Sequence, residues 1–199
     1  MSVLVGKQAP DFEAQGVNAE GSFEPVKLSA LCGKYVVLFF YPLDFTFVCP
    51  SEIIAFDNHL AEFKERAVDV LGVSVDSHFT HHAWRETDRN KGGIGRIGYT
   101  LVADLTKQIA RDYDVLTGDG AVAYRGLFLI DKQGKVRHQV VNDLPLGRSV
   151  EETLRMVDAL QFHESHGEVC LANWSKGKAG MKANAEGVAA YLAENASKL

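Results

Sequence analysis

The sequence predicts an α/β fold: a central mixed sheet flanked by helices in three layers, followed by a C-terminal arm. Three observations carry this. Residues 35–41, YVVLFFY, form an unbroken apolar run. The run is too short for a bilayer and has the composition of a strand buried on both faces. A helical pattern and a second β-rich run, 67–75, follow it, which makes a βαβ unit with parallel strands. Later, 125–130 and 135–141 read as two strands joined by Asp131-Lys132-Gln133-Gly134, the signal of an antiparallel hairpin.

Taken in order, residues 1–35 are punctuated by Gly16, Asn18, Gly21, Ser22 and Pro25. They read as a small hairpin or short strands ending in the loop Leu31-Cys32-Gly33-Lys34. Pro42 ends the buried strand. After a loop, Cys49 stands directly before Pro50, and Ile53, Phe56, Leu60 and Phe63 follow at helical spacing. Proline suits the start of a helix, where a missing N–H costs nothing, so the spacing predicts one helix running to Phe63. HFTHHAWRETDRN, 78–90, has helical character. The glycine-rich loop Lys91-Gly92-Gly93-Ile94-Gly95 lacks the strand-to-helix context of a dinucleotide fingerprint.

Residues 99–103 read as a strand and 104–114 as a helix, with Leu105, Ile109 and Tyr113 on one stripe. Ser149 and Glu152 have capping-box spacing, and Val150, Leu154, Val157 and Leu160 form the stripe of the helix they start. Beyond His163 the composition changes, and 175–187 has almost no large apolar side chains. The expected division is a domain over 1–163 and an arm over 164–199, with a short helix at 187–196.

A chain of 199 residues with net charge −5 is poorly suited to nucleic acid or anionic membrane. The first residues have neither the basic nor the long apolar region of a secretory signal, and no run spans a bilayer, so a cytoplasmic protein is expected. Cys32, Cys49 and Cys170 are an odd number with no C-x-x-C pair. This argues against a secreted disulfide framework, a thioredoxin-type dithiol and a Cys₄ zinc site.

Cys49 is placed for chemistry. At a helix N-terminus, unpaired N–H groups and the helix dipole favour the thiolate, the reactive form. If the first turn begins near Phe45, Thr46 shares a face with Cys49, and its hydroxyl can donate to the sulfur or to a bound oxygen. It can equally serve as the N-cap. Cys32 lacks an electropositive setting and reads as structural. His78, His81 and His82 have the spacing of a metal-binding helix face, but no fourth ligand is evident; a polar face is the better reading.

Pro42, Thr46 and Cys49 match the motif P-x-x-x-T-x-x-C within FFYPLDFTFVCPSEI; Arg125 stands in YRGLFLID and Cys170 in HGEVCLANW. On these residues, and along nearly the whole chain, the sequence resembles the typical two-cysteine peroxiredoxins of the alkyl hydroperoxide reductase C type. The resemblance implies a thioredoxin-like fold and a thiol-dependent peroxidase that reduces hydrogen peroxide and organic hydroperoxides without cofactor or metal. It makes Cys49 the peroxidatic cysteine, oxidised to a sulfenic acid, and Cys170 the resolving one. It also implies an intersubunit Cys49–Cys170 disulfide in a homodimer, assembly into a decameric ring, and reduction by thioredoxin or a dedicated flavoprotein. Pro42 is implied to shield the site, Thr46 to position the peroxide, and Arg125 to stabilise the developing charge.

Glu52 and Arg148 map to residues that orient Arg125. A helix-dipole carboxylate and a surface charge are their alternative readings. A peroxide sensor or a holdase chaperone would use the same Cys49; a thiol–disulfide oxidoreductase is disfavoured by the missing C-x-x-C. Two departures matter. Leu171 replaces the proline that usually follows the resolving cysteine, which predicts a more mobile or more helical segment. Tyr191-Leu192 stands where peroxide-sensitive relatives have Tyr-Phe, which with Gly92-Gly93-Ile94-Gly95 predicts intermediate over-oxidation. In the resemblance the histidine segment lies near the interface between dimers.

Overall fold

In the computed structural model, residues 2–196 are described. The chain forms two compact units, Met1–Val150 and Glu151–Leu199. Composition thus changes after His163, whereas compactness changes at Val150.

The first unit is a mixed seven-stranded sheet in the order β2-β1-β5-β4-β3-β6-β7. Inside it lies β3 (Tyr35–Phe40), the predicted buried run, with every residue buried. Parallel β4 (Val68–Ser74) and antiparallel β6 (Arg125–Ile130) flank it. β7 (Val136–Asn142) completes the expected hairpin with β6. Its turn closes where Asp131 Oδ1 accepts from the backbone of Gln133 and Lys135. On the other side, β5 (Thr100–Ala103) runs parallel to β4. β1 (Glu13–Val17) and β2 (Phe23–Lys27) form the N-terminal hairpin.

Alternate residues of β3 serve opposite faces. Phe39 stacks on Phe56 at 4.5 Å, and Phe56 lies 5.9 Å from Phe63, covering one face with the helices that follow β3. Phe40 meets Tyr113 at 5.2 Å on the opposite face.

The single helix predicted to Phe63 is two: α1 (Cys49–Asn58) and α2 (Leu60–Glu65). They break at His59, whose backbone N–H and ring Nδ1 both turn to Ala55 O. The stripe survives the break, with Ile53, Phe56, Leu60 and Phe63 all buried.

α3 (His78–Glu86) follows β4 as predicted, capped by the Ser77 side chain. The helix predicted over 104–114 shrinks to α4 (Gln108–Asp112). Asp104 causes this. Its carboxylate accepts from Ile109 N at 3.1 Å and Ala110 N at 2.8 Å, so residues 105–107 become a turn and Leu105 faces solvent.

The second unit contains nearly all of α5 (Val150–His166), then a turn-rich segment and α6 (Ala185–Asn195). Asn184 caps α6, accepting from Gly187 N at 2.7 Å. Among the described residues, no helix is long and apolar enough to cross a membrane.

Candidate active site

β3 ends at Phe40, and the chain leaves through Tyr41 and Pro42, both buried. It returns at Cys49, the first residue of α1 and only 1% exposed. Pro50 takes the second helical position, where its missing N–H breaks no helix bond. Val48, not Thr46, is the N-cap, and it offers no side-chain cap. The first turn is closed instead by Ser51 N and Ser51 Oγ, which donate to Val48 O at 3.1 and 2.6 Å.

The antiparallel register Phe39↔Leu127 sets the start of β6 beside the end of β3. Arg125, the first residue of β6, therefore arrives at the loop that leads to Cys49. Its Nη1 donates to Cys49 Sγ at 3.4 Å and to Glu52 Oε2 at 2.7 Å, while Nε donates to Leu144 O at 2.7 Å. The guanidinium is 3% exposed and fixed from three directions.

Glu52 lies one helical turn after Cys49 and faces the same way. Its carboxylate receives Arg148 N and Nε on Oε1, both at 2.8 Å, and Arg148 Nη2 on Oε2 at 2.9 Å. Arg148 Nη1 reaches the backbone of both strands, Phe40 O at 2.8 Å and Gly126 O at 2.6 Å. The surface reading of Arg148 is thereby corrected, since it is no solvated charge; Glu52 does stand in the first turn of α1 and is also the ion-pair partner of both arginines. Burial pushes the Glu52 carboxyl up, but the hydrogen bonds and charge of Arg148, with the charge of Arg125, outweigh it and hold it below the ordinary value. The set carries two guanidinium charges against one carboxylate, so a net positive charge is left facing the sulfur.

The Thr46 hydroxyl donates to Leu43 O at 2.8 Å, which commits its single proton to the loop. Its oxygen lone pairs remain to accept. The loop turns at Phe45, whose φ of 54° is unusual for a bulky residue. The neighbours of Phe45 hold that conformation in place. Asp44 accepts from Tyr41 OH at 2.8 Å, pairs with His81 Nδ1 at 2.7 Å, and donates its N–H to Asp76 Oδ2 at 2.8 Å. The sequence reading missed this network, although a carboxylate between Pro42 and Cys49 was a signal for it. The polar-face reading of the histidines is also corrected. His81 is wholly buried, with Nε2 3.2 Å from Val102 O, while His78 and His82 lie against Phe23. Among the described residues no cluster of His, Cys, Asp or Glu is built to hold a metal ion.

The structure thus joins Cys49, Glu52, Arg125 and Arg148 into one network, with Pro42 and Thr46 on the adjoining loop. Cys32 is exposed and unpaired. Cys170 belongs to the second unit, where Val169 N and O pair with Met181 at 2.9 and 3.1 Å. Leu171 therefore does not extend a helix: the pairing with Met181 and the turn closed by Trp174 N on Leu171 O, 3.1 Å, hold the segment in an extended and turned path.

The chain that builds this geometry has counterparts among known proteins. Residues 5–139 match the model of the AhpC/TSA family. The chain belongs to that family. Residues 159–194 match the C-terminal domain of 1-Cys peroxiredoxin. Alkyl hydroperoxide reductase C of Helicobacter pylori is 57% identical, with 99% of this chain and all of the relative covered. Peroxiredoxin-2 of Mus musculus is 53% identical over 96% of each chain. The reduced 2-Cys peroxiredoxin of Plasmodium vivax superposes with a TM-score of 0.94 at 55% identity, covering 96% of this chain and 100% of that one. Family membership carries with it the thioredoxin-like fold and the thiol-peroxidase activity that the sequence motif implied.

Proposed function

We propose that Cys49 is the peroxidatic residue of a two-cysteine peroxidase acting on hydrogen peroxide and organic hydroperoxides. The observation that carries this is the contact of Arg125 Nη1 with Cys49 Sγ at 3.4 Å, with both groups buried. The Cys49 thiolate attacks one peroxide oxygen, and the O–O bond breaks. The other oxygen leaves with a proton as water or alcohol, and Cys49 becomes a sulfenic acid. Negative charge moves from sulfur to the leaving oxygen, and a fixed guanidinium stabilises it without reorganising. Pro42 keeps water from the loop, and Thr46 holds the peroxide in line. Glu52 and Arg148 keep Arg125 aimed.

Cys170 then resolves the sulfenic acid as a disulfide with Cys49 of a second subunit, which makes the homodimer the working unit and a decameric ring its assembly. A dithiol reductant, thioredoxin or a dedicated flavoprotein, returns the enzyme to its starting state by exchange. Chemistry that cycles through a disulfide suits a reducing cytoplasm.

Mixing Cys49→Ser protein with Cys170→Ser protein tests the pairing. Each retains one of the two reacting thiols. Peroxide should produce a mixed disulfide joining one variant to the other on a non-reducing gel. No cross-linked species from the mixture, with a disulfide still formed in wild-type monomers, would overturn the intersubunit assignment.

A further inference from the structure

We propose that Arg155 activates Cys170 for the resolving step, by placing a fixed positive charge beside the thiol that must attack as a thiolate. The inference rests on the reading of Cys170 as the resolving cysteine.

α5 sets Arg155 and Ala159 one turn apart on one face. Cys170 lies along that face, its Sγ–H donating to Ala159 O at 3.3 Å. Arg155 reaches the same segment further on, where Nη1 donates to Trp174 O at 2.7 Å. Between these points Trp174 N closes a turn on Leu171 O. Trp174 is itself buried, with its ring 4.9 Å from that of Phe162, so the segment is held against α5 at both ends. The guanidinium is held as well, its Nε and Nη2 donating to the two oxygens of Glu152 at 2.6 and 2.7 Å. Arg155 and the Cys170 anchor Ala159 thus stand one turn apart, with the guanidinium on the segment that carries Cys170.

Three other charged or titratable groups of this region have partners of their own. Lys176 lies 4.0 Å from Asp158, Lys178 donates to Asn173 O, and His163 faces Glu168 O.

Two influences therefore compete at Cys170. The Ala159 carbonyl accepts a proton-bearing thiol and cannot bind a thiolate. Burial also pushes the thiol above its ordinary value, and the Arg155 charge works against that push. Loss of the proton thus releases Cys170 from Ala159 while the attraction of Arg155 persists. In the step that follows, the Cys170 sulfur bonds to the sulfenyl sulfur of Cys49 and the S–O bond breaks. Hydroxide leaves and takes up a proton as water. The Cys170 sulfur is oxidised as the Cys49 sulfur is reduced, both to the disulfide level.

The test is rapid-quench measurement of disulfide formation after one equivalent of peroxide, across a range of pH. Arg155→Gln should move the rise of the rate to higher pH and slow resolution several-fold at neutral pH. Arg155→Lys should restore the position of the rise. Glu152→Gln should move it to lower pH, because it leaves the guanidinium uncompensated. If Arg155→Gln slows the step by one factor at every pH, or if both glutamine variants move the profile the same way, Arg155 is only a clamp on Trp174 and the proposal fails. Cys170→Ser is the separate control. Disulfide formation at the wild-type rate in that variant would instead overturn the assignment of Cys170.

Discussion

Glu52 and Arg148 form a forked ion pair, two side-chain nitrogens on two carboxylate oxygens at 2.8 and 2.9 Å, wholly within the first unit. Arg125 shares the second of those oxygens. The aim of the arginine at Cys49 is therefore set by a residue on α1 itself and by another just beyond β7.

Replacing Glu52 by Gln should act on both activity and stability. Two buried guanidinium groups would lose their anion, at a cost of about 3–5 kcal/mol. The rate of Cys49 oxidation should fall about 10²–10³-fold as Arg125 loses its orientation. The acid limb carries a further signature. Because the folded carboxyl is held below its ordinary value of 4.5, the unfolded chain binds more protons in that window. Stability should therefore fall as pH drops from about 4.5 through the depressed value. Urea midpoints against pH should show this slope in the wild type, and Glu52→Gln should flatten it.

Arg125→Lys keeps the charge and loses the fork. A lysine ammonium cannot at once reach Leu144 O, Glu52 and Cys49 from fixed directions. Stopped-flow oxidation should slow by about 10²-fold, and an unchanged rate constant would show that charge alone suffices.

The strand that organises the fold, its end just before Pro42 at Phe40 and the helix opening at Cys49 were legible in the sequence because they are local. Apolar run length, proline position and helical spacing need no partner from elsewhere. Arg125 was legible only through resemblance, and the Glu52–Arg148 pair was left open because its members stand 96 residues apart. The failures are of two kinds, local and distant. The Asp104 side chain took over backbone N–H groups that propensity assigned to a continuous helix, and at His59 the ring shares Ala55 O with the backbone N–H. His81 looked solvated because its partner, Asp44, comes 37 residues earlier.

His81→Leu should leave Asp44 buried without its partner. Burial already pushes the Asp44 carboxyl up against the opposing pull of His81, and breaking a buried pair costs about 3–5 kcal/mol. The double variant with Asp44→Asn should cost less than the sum of the two single changes in urea unfolding. Additive costs would mean that the pair does not pin the Pro42–Thr46 loop.

α1 is tied down beyond the cysteine. Tyr99 OH donates to Ile53 O at 2.8 Å, Gly98 N to Asp57 Oδ1 at 2.8 Å, and Arg89 Nη2 to Asp57 Oδ2 at 3.2 Å. A buried Cys49 must open to meet another thiol, so these bonds oppose resolution and favour further oxidation. Tyr99→Phe should weaken the tie by about 1 kcal/mol. Less sulfinic acid should then accumulate on Cys49 at a given peroxide dose. Mass spectrometry showing equal or greater accumulation would remove the tie from the account of over-oxidation.

The most direct test of the central claim is peroxide consumption by Cys49→Ser protein supplied with reductant, beside wild type and Cys170→Ser. Cys49→Ser should show no turnover above background, with Cys170→Ser still consuming one equivalent of peroxide in a single burst. Full turnover by Cys49→Ser would contradict the claim and move the chemistry to another residue.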